Sequence, residues 1–222
     1  MSSFELLSSE KNQSVVLEFA DKKYKICKST NLQGYKTEKN KMTYGFVFSG
    51  QATLRNNLTT ASAHISEGMY FCLNADWDLE SQGQIFLTEV DQYSGLNMIG
   101  GPIESVGRLK YIDNCTDSLL VPPTKLGDPC LNLLVFPPGI QQTPHTHPSF
   151  RAGIVISGKG FCNLDSGKVP LQPGDLFVIP TNLKHCFTSD DKLGLKVLAF
   201  HPDSDYGPTD EVHPMINKTI IS

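Results

Sequence analysis

Two histidines, His145 and His147, stand two residues apart in the stretch G-I-Q-Q-T-P-H-T-H-P-S-F-R-A-G, which covers residues 139–153. In extended backbone, side chains two residues apart point the same way, with Cα atoms roughly 6–7 Å apart. Imidazoles at this spacing can converge on one ion at about 2.0–2.2 Å. The pair therefore predicts half of a metal site.

A third ligand must come from elsewhere in the chain, and His185 in P-T-N-L-K-H-C-F is the best candidate. It follows a Pro-Asn turn after a predicted buried strand, and strand alternation places it on the same face as Phe187. If that phenylalanine belongs to the core, His185 points inward and Cys186 points to the opposite face. Arg151 cannot be a ligand, because a guanidinium stays protonated and offers only donors.

The elements that must position these residues are short β-strands. Several segments are rich in Val, Ile and Phe and are bounded by Gly, Pro and other turn residues. They are residues 15–20, 44–50, 69–73, 84–90, 131–136, 152–158, 175–180 and 195–200. No long segment shows an apolar period of 3.6 residues, so the sequence predicts an all-β sandwich or barrel.

Two pairs of segments indicate an internal repeat. G-F-V-F-S-G-Q at residues 45–51 matches G-I-V-I-S-G-K at residues 153–159, an offset of 108. I-S-E-G-M-Y-F-C-L at residues 65–73 matches L-Q-P-G-D-L-F-V-I at residues 171–179, an offset of 106. We interpret this as a duplicated β unit of about a hundred residues, a usual domain size, with a boundary near residues 108–125.

The first copy does not keep the histidines. By the offset, Thr37 and Lys39 are the counterparts of the histidine pair. Thr43 is the counterpart of Arg151, and Leu79 is the counterpart of His185. The first copy is therefore predicted to hold no metal and to serve as a structural or dimerising half.

The spacing in the second copy resembles the two motifs of the cupin superfamily. The first motif is glycine, five residues, H-x-H, three or four residues, glutamate, six residues and glycine. Residues 139–158 resemble it with Arg151 in the position of the glutamate. The second motif is glycine, five residues, P-x-G, two residues and histidine, and residues 174–185 resemble it with Asn182 replacing the glycine. The asparagine that closes this motif is Ser189 here.

This resemblance implies an all-β protein built of two tandem cupin-type double-stranded β-helix (jelly-roll) barrels. Residues 1–110 are predicted to form a degenerate barrel without metal ligands, and residues 120–222 a metal-binding barrel with a C-terminal tail. The resemblance also implies that His145, His147 and His185 bind one divalent transition metal. Imidazole suits several metals, so Fe is expected while Zn, Ni, Mn and Cu stay open.

Some cupin dioxygenases that act on thiols, diketones and gentisate-like acids are similar in lacking the glutamate. We therefore predict a metal-dependent, dioxygenase-like enzyme that acts on a small acid, thiol or enolisable ketone. As a catalytic residue, Arg151 would hold a substrate carboxylate in a bidentate fork; alternatively it faces outward or pairs with a structural acid. A metal-dependent isomerase or lyase and a non-catalytic small-molecule binding protein are the other functions that the sequence leaves open.

The remaining histidines, His64, His201 and His213, lie outside both motifs and are predicted not to bind metal. The Pro-punctuated tail at residues 201–215 could fold back over a barrel mouth as a lid. A strap at a dimer interface or a solvated tail is the alternative.

Composition excludes several classes of partner. The formal net charge of −4 is mild and no basic run occurs, so no nucleic-acid partner is expected. No apolar run approaches the roughly 18 residues that span a bilayer, and no signal peptide is predicted. The six cysteines form no C-x-x-C pair and are expected to be reduced. We predict a cytoplasmic homodimer with a small-molecule substrate and no membrane partner.

Overall fold

The computed structural model describes residues 3–7, 12–209, 211–212 and 219–220. Within these residues the regular structure is 20 β-strands and one 3-10 turn. No helix in this part of the chain is long and apolar enough to cross a membrane.

The strands are numbered in chain order. The first ten are β1 (Glu5–Leu7), β2 (Gln13–Phe19), β3 (Lys22–Thr30), β4 (Tyr35–Lys36), β5 (Lys41–Val47), β6 (Gln51–Asn56), β7 (Ser62–Ser66), β8 (Tyr70–Leu73), β9 (Trp77–Gln82) and β10 (Gln84–Asp91). After β11 (Met98–Gly100) and β12 (Leu109–Lys110), the 3-10 turn spans Ile112–Asn114. The last eight are β13 (Thr116–Val121), β14 (Cys130–Phe136), β15 (Arg151–Gly158), β16 (Gly160–Leu164), β17 (Gly167–Leu171), β18 (Leu176–Ile179), β19 (His185–Ser189) and β20 (Leu195–His201).

Every segment that the sequence predicts as a strand coincides with one. These strands are β2, β5, β8, β10, β14, β15, β18 and β20. The short strands β6, β7, β16 and β17 are not predicted, because their apolar side chains alternate with polar ones over only five or six residues. Such short half-buried strands give a weak periodic signal.

The internal repeat in the sequence corresponds to a repeat of strand order. In the first half of the chain the large sheet has the order β11-β8-β5-β10-β3-β2, and the second half has β1-β18-β15-β20-β14-β13-β12. The central run β8-β5-β10-β3-β2 matches β18-β15-β20-β14-β13 strand for strand. The smaller sheets, β4-β9-β6-β7 and β17-β16-β19, complete two tandem jelly-roll barrels. The predicted all-β fold class is confirmed.

The N-terminal strand crosses from one barrel to the other. β1 pairs antiparallel with β18, and Glu5 lies opposite Val178. Residues Glu5–Leu7 thus extend the sheet of the second barrel. The domain boundaries at residues 1–110 and 120–222 stay a prediction.

A shared apolar core joins the two barrels. One cluster of buried side chains contains residues of both large sheets, among them Tyr24 and Tyr44 from the first barrel and Phe150 and Phe200 from the second. The Tyr44 and Phe200 rings meet edge to face at 5.2 Å between centroids, and those of Tyr24 and Phe150 at 5.1 Å. Such contacts bury large apolar areas, so each barrel stabilises its neighbour.

The interiors of the two barrels differ. The first has an apolar cluster of aliphatic and aromatic side chains such as Val47, Leu54 and Phe71, all fully buried, and its buried carboxylate, Glu89, pairs with Lys25. The second has an apolar cluster that includes Phe136 and Phe177, and a histidine, His185, lies buried beside Phe187 at its edge. The three histidines predicted as ligands therefore lie in the second barrel.

The shared core predicts that Phe200→Ala destabilises the whole chain. The side chain is fully buried and contacts the rings of Tyr24, Tyr44 and Phe150. Truncating a buried phenylalanine costs about 3–5 kcal/mol of unfolding free energy. Urea unfolding followed by circular dichroism measures the loss, with Leu193→Ala, 63% exposed, as a control that stays within about 0.5 kcal/mol. A loss below about 1 kcal/mol would contradict a shared core.

Candidate metal centre

The segment that carries the histidine pair runs between β14 and β15 and is held to the start of β19. The backbone N–H of His145 donates to the carbonyl of His185 at 2.9 Å, and the N–H of His185 donates back at 3.0 Å. A second isolated bridge pairs Gln141 with Thr188. The pair is thus extended, as predicted, although it lies on isolated bridges and not in a continuous strand.

The three histidines predicted as ligands meet in one place. Each offers one ring nitrogen, and the three nitrogens lie within 4.8 Å of one another. The ring centroids are 4.7 to 5.2 Å apart. Small rotations of the rings can place all three nitrogens about 2.0–2.2 Å from one ion, which is the metal–nitrogen distance that a transition metal requires. The donor set therefore fits one divalent transition metal.

Hydrogen bonds to the backbone fix two of the rings. The Nδ1 of His145 lies 2.8 Å from the carbonyl of Thr143, and the Nδ1 of His185 lies 2.9 Å from the carbonyl of Leu183. A carbonyl can only accept, so Nδ1 carries the proton in both rings and Nε2 keeps its lone pair. Metal-binding histidines are usually oriented by such a contact on the second nitrogen.

The turn before His185 explains the departure from glycine in the second motif. Asn182 has a φ of 59°, in the left-handed region, and its N–H donates to the carbonyl of His147 at 2.8 Å. Asparagine adopts this conformation more readily than other residues with a side chain. Asn182 therefore keeps the turn and also ties it to the second histidine of the pair.

Burial keeps the rings of His147 and His185 in the neutral form that binds metal. It lowers the pKa of His147 to about 3 and that of His185 to about 4, and the nearby charge of Arg151 acts in the same direction. A buried imidazole loses the hydration that would stabilise its cation. Both groups thus have free lone pairs at neutral pH.

Arg151 lines the same cavity as the histidines and also contacts an acid. Its side chain is 12% exposed, and its Nη1 donates to Phe150 O at 3.0 Å and to the hydroxyl of Ser149. The Oδ1 of Asp203 lies 3.9 Å from Nη1. The Nε is buried without a hydrogen-bond partner. Arg151 therefore points inward, while its role in binding a substrate stays a prediction.

The cavity around this cluster, called the inner cavity below, has a volume of about 60 Å³. Its lining comprises Tyr111, Asp117, Leu134, Phe136, Gln142, His145, His147, Arg151, Phe177, Ile179, His185, Phe187, Val197, Ala199 and His201. The lining thus combines apolar walls with a few polar side chains, as is usual for a small-molecule site.

His201 belongs to the lining, although sequence reasoning set it aside. It is not part of the three-histidine cluster, and that it binds no metal stays a prediction. Its position could have been found from strand alternation, because Val197, Ala199 and His201 share one face of β20 and all three line the inner cavity. Asp117 and Gln142 carry no comparable sequence signal.

The assignment of Leu79 as the counterpart of His185 is wrong. In the first barrel the N–H of Thr37 donates to the carbonyl of Trp77 at 2.9 Å, which repeats the bond from His145 to His185. Trp77 therefore occupies the position of the third histidine. Asp76 in the first barrel and Asn182 in the second both have a left-handed backbone conformation. Trp77 follows Asp76 directly, whereas His185 stands three residues after Asn182, so the offset between the two copies changes by two residues at this turn.

Of the other predicted features, all six cysteines are buried and free. His64 is exposed, and its Nδ1 lies 3.1 Å from the hydroxyl of Thr53. His213 lies outside the described residues, so the predicted fold-back of the tail beyond Val212 stays a prediction.

Comparisons with known proteins agree with this architecture. A family model described as "Cupin domain" matches residues 132–201. Protein Ylba from E. coli is 19% identical, with 93% of each chain covered and a TM-score of 0.63. The putative glyoxylate induced protein from Pseudomonas aeruginosa is 15% identical over 94% of this chain and 92% of its own, with a TM-score of 0.70.

A dioxygenase is among the similar structures. Salicylate 1,2-dioxygenase from Pseudaminobacter salicylatoxidans is 11% identical over 85% of this chain and 76% of its own, with a TM-score of 0.62. At these identities the structures show a shared fold. The sequence has no match among curated proteins.

The lowered histidine pKa values predict that the metal-free protein loses stability in mild acid. Unfolded histidine titrates near pH 6.5, so between that pH and about 4 the unfolded chain binds more protons than the folded one. The unfolding free energy should fall with pH across this window, by up to about 1.4 kcal/mol per pH unit for each of His147 and His185. Urea unfolding of chelator-treated protein at several pH values measures the slope.

The matched variants are His185→Gln, which should flatten the slope, and His64→Gln, which should leave it unchanged because that ring is exposed. Equal slopes in the wild type and His185→Gln would contradict a neutral buried imidazole at this position.

Proposed function

We propose that the chain, of which residues 132–201 match the cupin domain, is a metal-dependent, dioxygenase-like enzyme acting on a small organic molecule. His145, His147 and His185 hold one divalent transition metal in the second barrel. The observation that carries the proposal is the convergence of three imidazoles, two of which have their Nδ1 protons bound to backbone carbonyls. This leaves the Nε2 lone pairs free for the ion.

The number of ligands favours a reactive site over a structural one. Among the described residues, no further His, Cys, Asp or Glu joins the cluster. A structural zinc site is normally closed by a fourth protein ligand, whereas a catalytic metal keeps positions for water or substrate. Three neutral ligands also leave the full charge of the ion in place. Both features favour an enzyme over a structural ion.

We propose iron as the metal, with Zn, Ni, Mn and Cu as alternatives that imidazole ligands also suit. Bound ferrous iron would supply redox chemistry toward molecular oxygen and open positions for a substrate. Oxygen chemistry is proposed because a dioxygenase has a similar fold, and one structure of that dioxygenase contains gentisate. Metal-dependent isomerisation or lysis would use the same three ligands.

Arg151 is proposed to orient the substrate. Its Nη1 donates hydrogen bonds to Ser149 and Phe150 and forms an ion pair with Asp203. Its Nε is buried without a hydrogen-bond partner and can still donate. A buried unsatisfied donor costs free energy, and a substrate oxygen would satisfy it. The guanidinium charge favours an oxygen of a carboxylate or an enolate.

The proposal predicts metal content and oxygen consumption that depend on the three histidines. Protein prepared without a His tag and reconstituted anaerobically with ferrous iron should contain about one iron per chain, and His185→Ala should lose it. His64→Ala, which removes an exposed histidine, is the matched control and should keep the metal.

The iron-loaded protein is then screened in an oxygen electrode with gentisate, salicylate, cysteine and acetylacetone. We expect oxygen uptake with at least one of these compounds in the wild type and His64→Ala, and none in His185→Ala. Failure of the wild type to take up iron, or full retention of iron in His185→Ala, would contradict the proposed site. Iron without oxygen uptake would favour an isomerase, a lyase or a binding protein.

A further inference from the structure

The hydrogen bonds of Arg151 are confined to one nitrogen of its guanidinium group. Its Nη1 donates to the hydroxyl of Ser149, to the carbonyl of Ser149 at 3.3 Å and to the carbonyl of Phe150 at 3.0 Å. Neither Nε nor Nη2 donates to any residue in the described part of the chain, and Nε is buried. One end of the group is therefore anchored, while the edge formed by Nε and Nη2 keeps its donors.

The free edge has the geometry that a carboxylate requires. The hydrogens of Nε and Nη2 point in the same direction, so they can form two parallel bonds to the two oxygens of one carboxylate. A neutral ketone or a simple thiol lacks the second charged oxygen and would leave one donor unpaired. An unsatisfied buried donor costs about 1–3 kcal/mol, so this edge of Arg151 favours an acid over either alternative.

Ser149 and Asp203, called the clamp below, hold the anchored end of Arg151. The Ser149 side chain is fully buried, and its hydroxyl donates to the Oδ1 of Asp203 while it accepts from Nη1 of Arg151. The same Oδ1 lies 3.9 Å from Nη1. Each of the three side chains thus restrains the next. Without Asp203, the Ser149 hydroxyl is free to turn and the guanidinium loses its nearest negative charge.

The backbone fixes the position of Asp203 itself. Asp203 stands two residues after β20, whose last residue, His201, pairs with Cys130 of β14. On the other side of Asp203, the carbonyl of Ser204 accepts from the N–H of Gly127 at 2.9 Å. Asp203 is therefore tied to the second barrel from both directions, as a residue that orients another side chain must be.

Arg151 lies between two cavities of different size. It lines the inner cavity of about 60 Å³ and a second one of about 550 Å³, called the outer cavity below. The outer lining includes the apolar side chains of Leu119 and Pro148 and the carboxylates of Asp203 and Asp205. The inner cavity has room for an ion and a few ligand atoms, so the rest of a larger acid bound at Arg151 would extend into the outer cavity.

Electrostatic repulsion alone would give Asp203 the opposite effect on an anionic ligand. Asp203 and Asp205 both line the outer cavity, and each carboxylate there repels a second one. Burial lowers the pKa of Arg151, and the charge of Asp203 opposes this more strongly than that of Asp205. If Asp203 acted only through its charge, its removal would strengthen anion binding. A positioning role predicts weaker binding, so the sign of the change separates the two roles.

We propose that Ser149 and Asp203 are positioning residues that keep the Nε–Nη2 edge of Arg151 ready for a substrate carboxylate, and that the substrate is therefore a carboxylic acid and not a neutral ketone or a simple thiol. The proposal rests on the proposed function in that Arg151 receives the substrate. The carboxylate site is built from Arg151 and the clamp, so it can be tested without metal.

The first test compares a carboxylate with its neutral amide. Chelator-treated full-length protein is titrated with hexanoate and with hexanamide, and ligand-observed NMR measures the two dissociation constants. The two probes have nearly the same shape and differ in charge. We expect hexanoate to bind at least about five-fold more tightly, because it pairs with the guanidinium edge. Equal affinities, or no measurable binding of either probe, would overturn the carboxylate site.

Variants assign the effect to the clamp. Asp203→Asn keeps the shape of the side chain and should weaken hexanoate binding at least about three-fold, and Asp203→Glu, which restores the charge, should recover part of the loss. Asp205→Asn is the matched control: it removes a carboxylate of the same cavity that forms no ion pair with Arg151 and should not weaken binding. Unchanged or tighter binding in Asp203→Asn would overturn the positioning role.

A second variant keeps the test decisive if the Asp203 variants do not fold, which thermal unfolding followed by circular dichroism reveals. Ser149→Ala removes the hydroxyl between Asp203 and Arg151 and should weaken hexanoate binding by a similar factor. Unchanged binding in a folded Ser149→Ala would contradict the clamp.

Failure of the metal site has a different signature. A wild type that takes up no iron but still prefers hexanoate would keep the clamp and remove the proposed metal function. Normal iron uptake without a preference for hexanoate would overturn the clamp and leave the metal site in place.

Discussion

The candidate site depends on one reciprocal pair of backbone hydrogen bonds, between His145 and His185. These residues are 40 positions apart in the sequence, and nothing in their side chains alone brings them together. The bridge brings the start of β19 against an extended loop, and the carbonyls of Thr143 and Leu183 then orient the two rings. Because the backbone forms the site, the imidazoles keep their lone pairs for an ion instead of using them to hold the fold.

The first barrel shows that the same bridge does not require a metal site. There Thr37 and Trp77 make the equivalent backbone bond, and no histidine occupies either position. The duplicated architecture therefore forms without three histidines at this bridge. The two barrels are joined through Tyr24, Phe150 and their neighbours, so the first contributes support to the barrel that carries the histidines. Fold and site are separable features, as is common where one fold serves many functions.

Sequence reasoning reached the features that depend on local spacing. It predicted the strands with strong apolar runs and the convergence of three histidines, and it left the direction of Arg151 open. It missed relations between distant segments. The contact of Arg151 with Asp203 and the place of His201 in the lining arise from how β15 and β20 pair. Sequence reasoning did not identify Trp77 as the counterpart of His185. One turn differs in length by two residues between the two copies, and an offset taken from neighbouring segments does not show this local change.

The central claim is that three imidazoles hold one metal with open positions beside it. X-ray absorption spectroscopy on the iron-loaded protein measures this most directly. The account predicts scattering from three imidazoles at about 2.0–2.2 Å and two or three further light atoms that exchange when acetohydroxamate is added. Fewer than three imidazoles, a sulfur ligand, or a closed shell of protein ligands that no added compound displaces would contradict it.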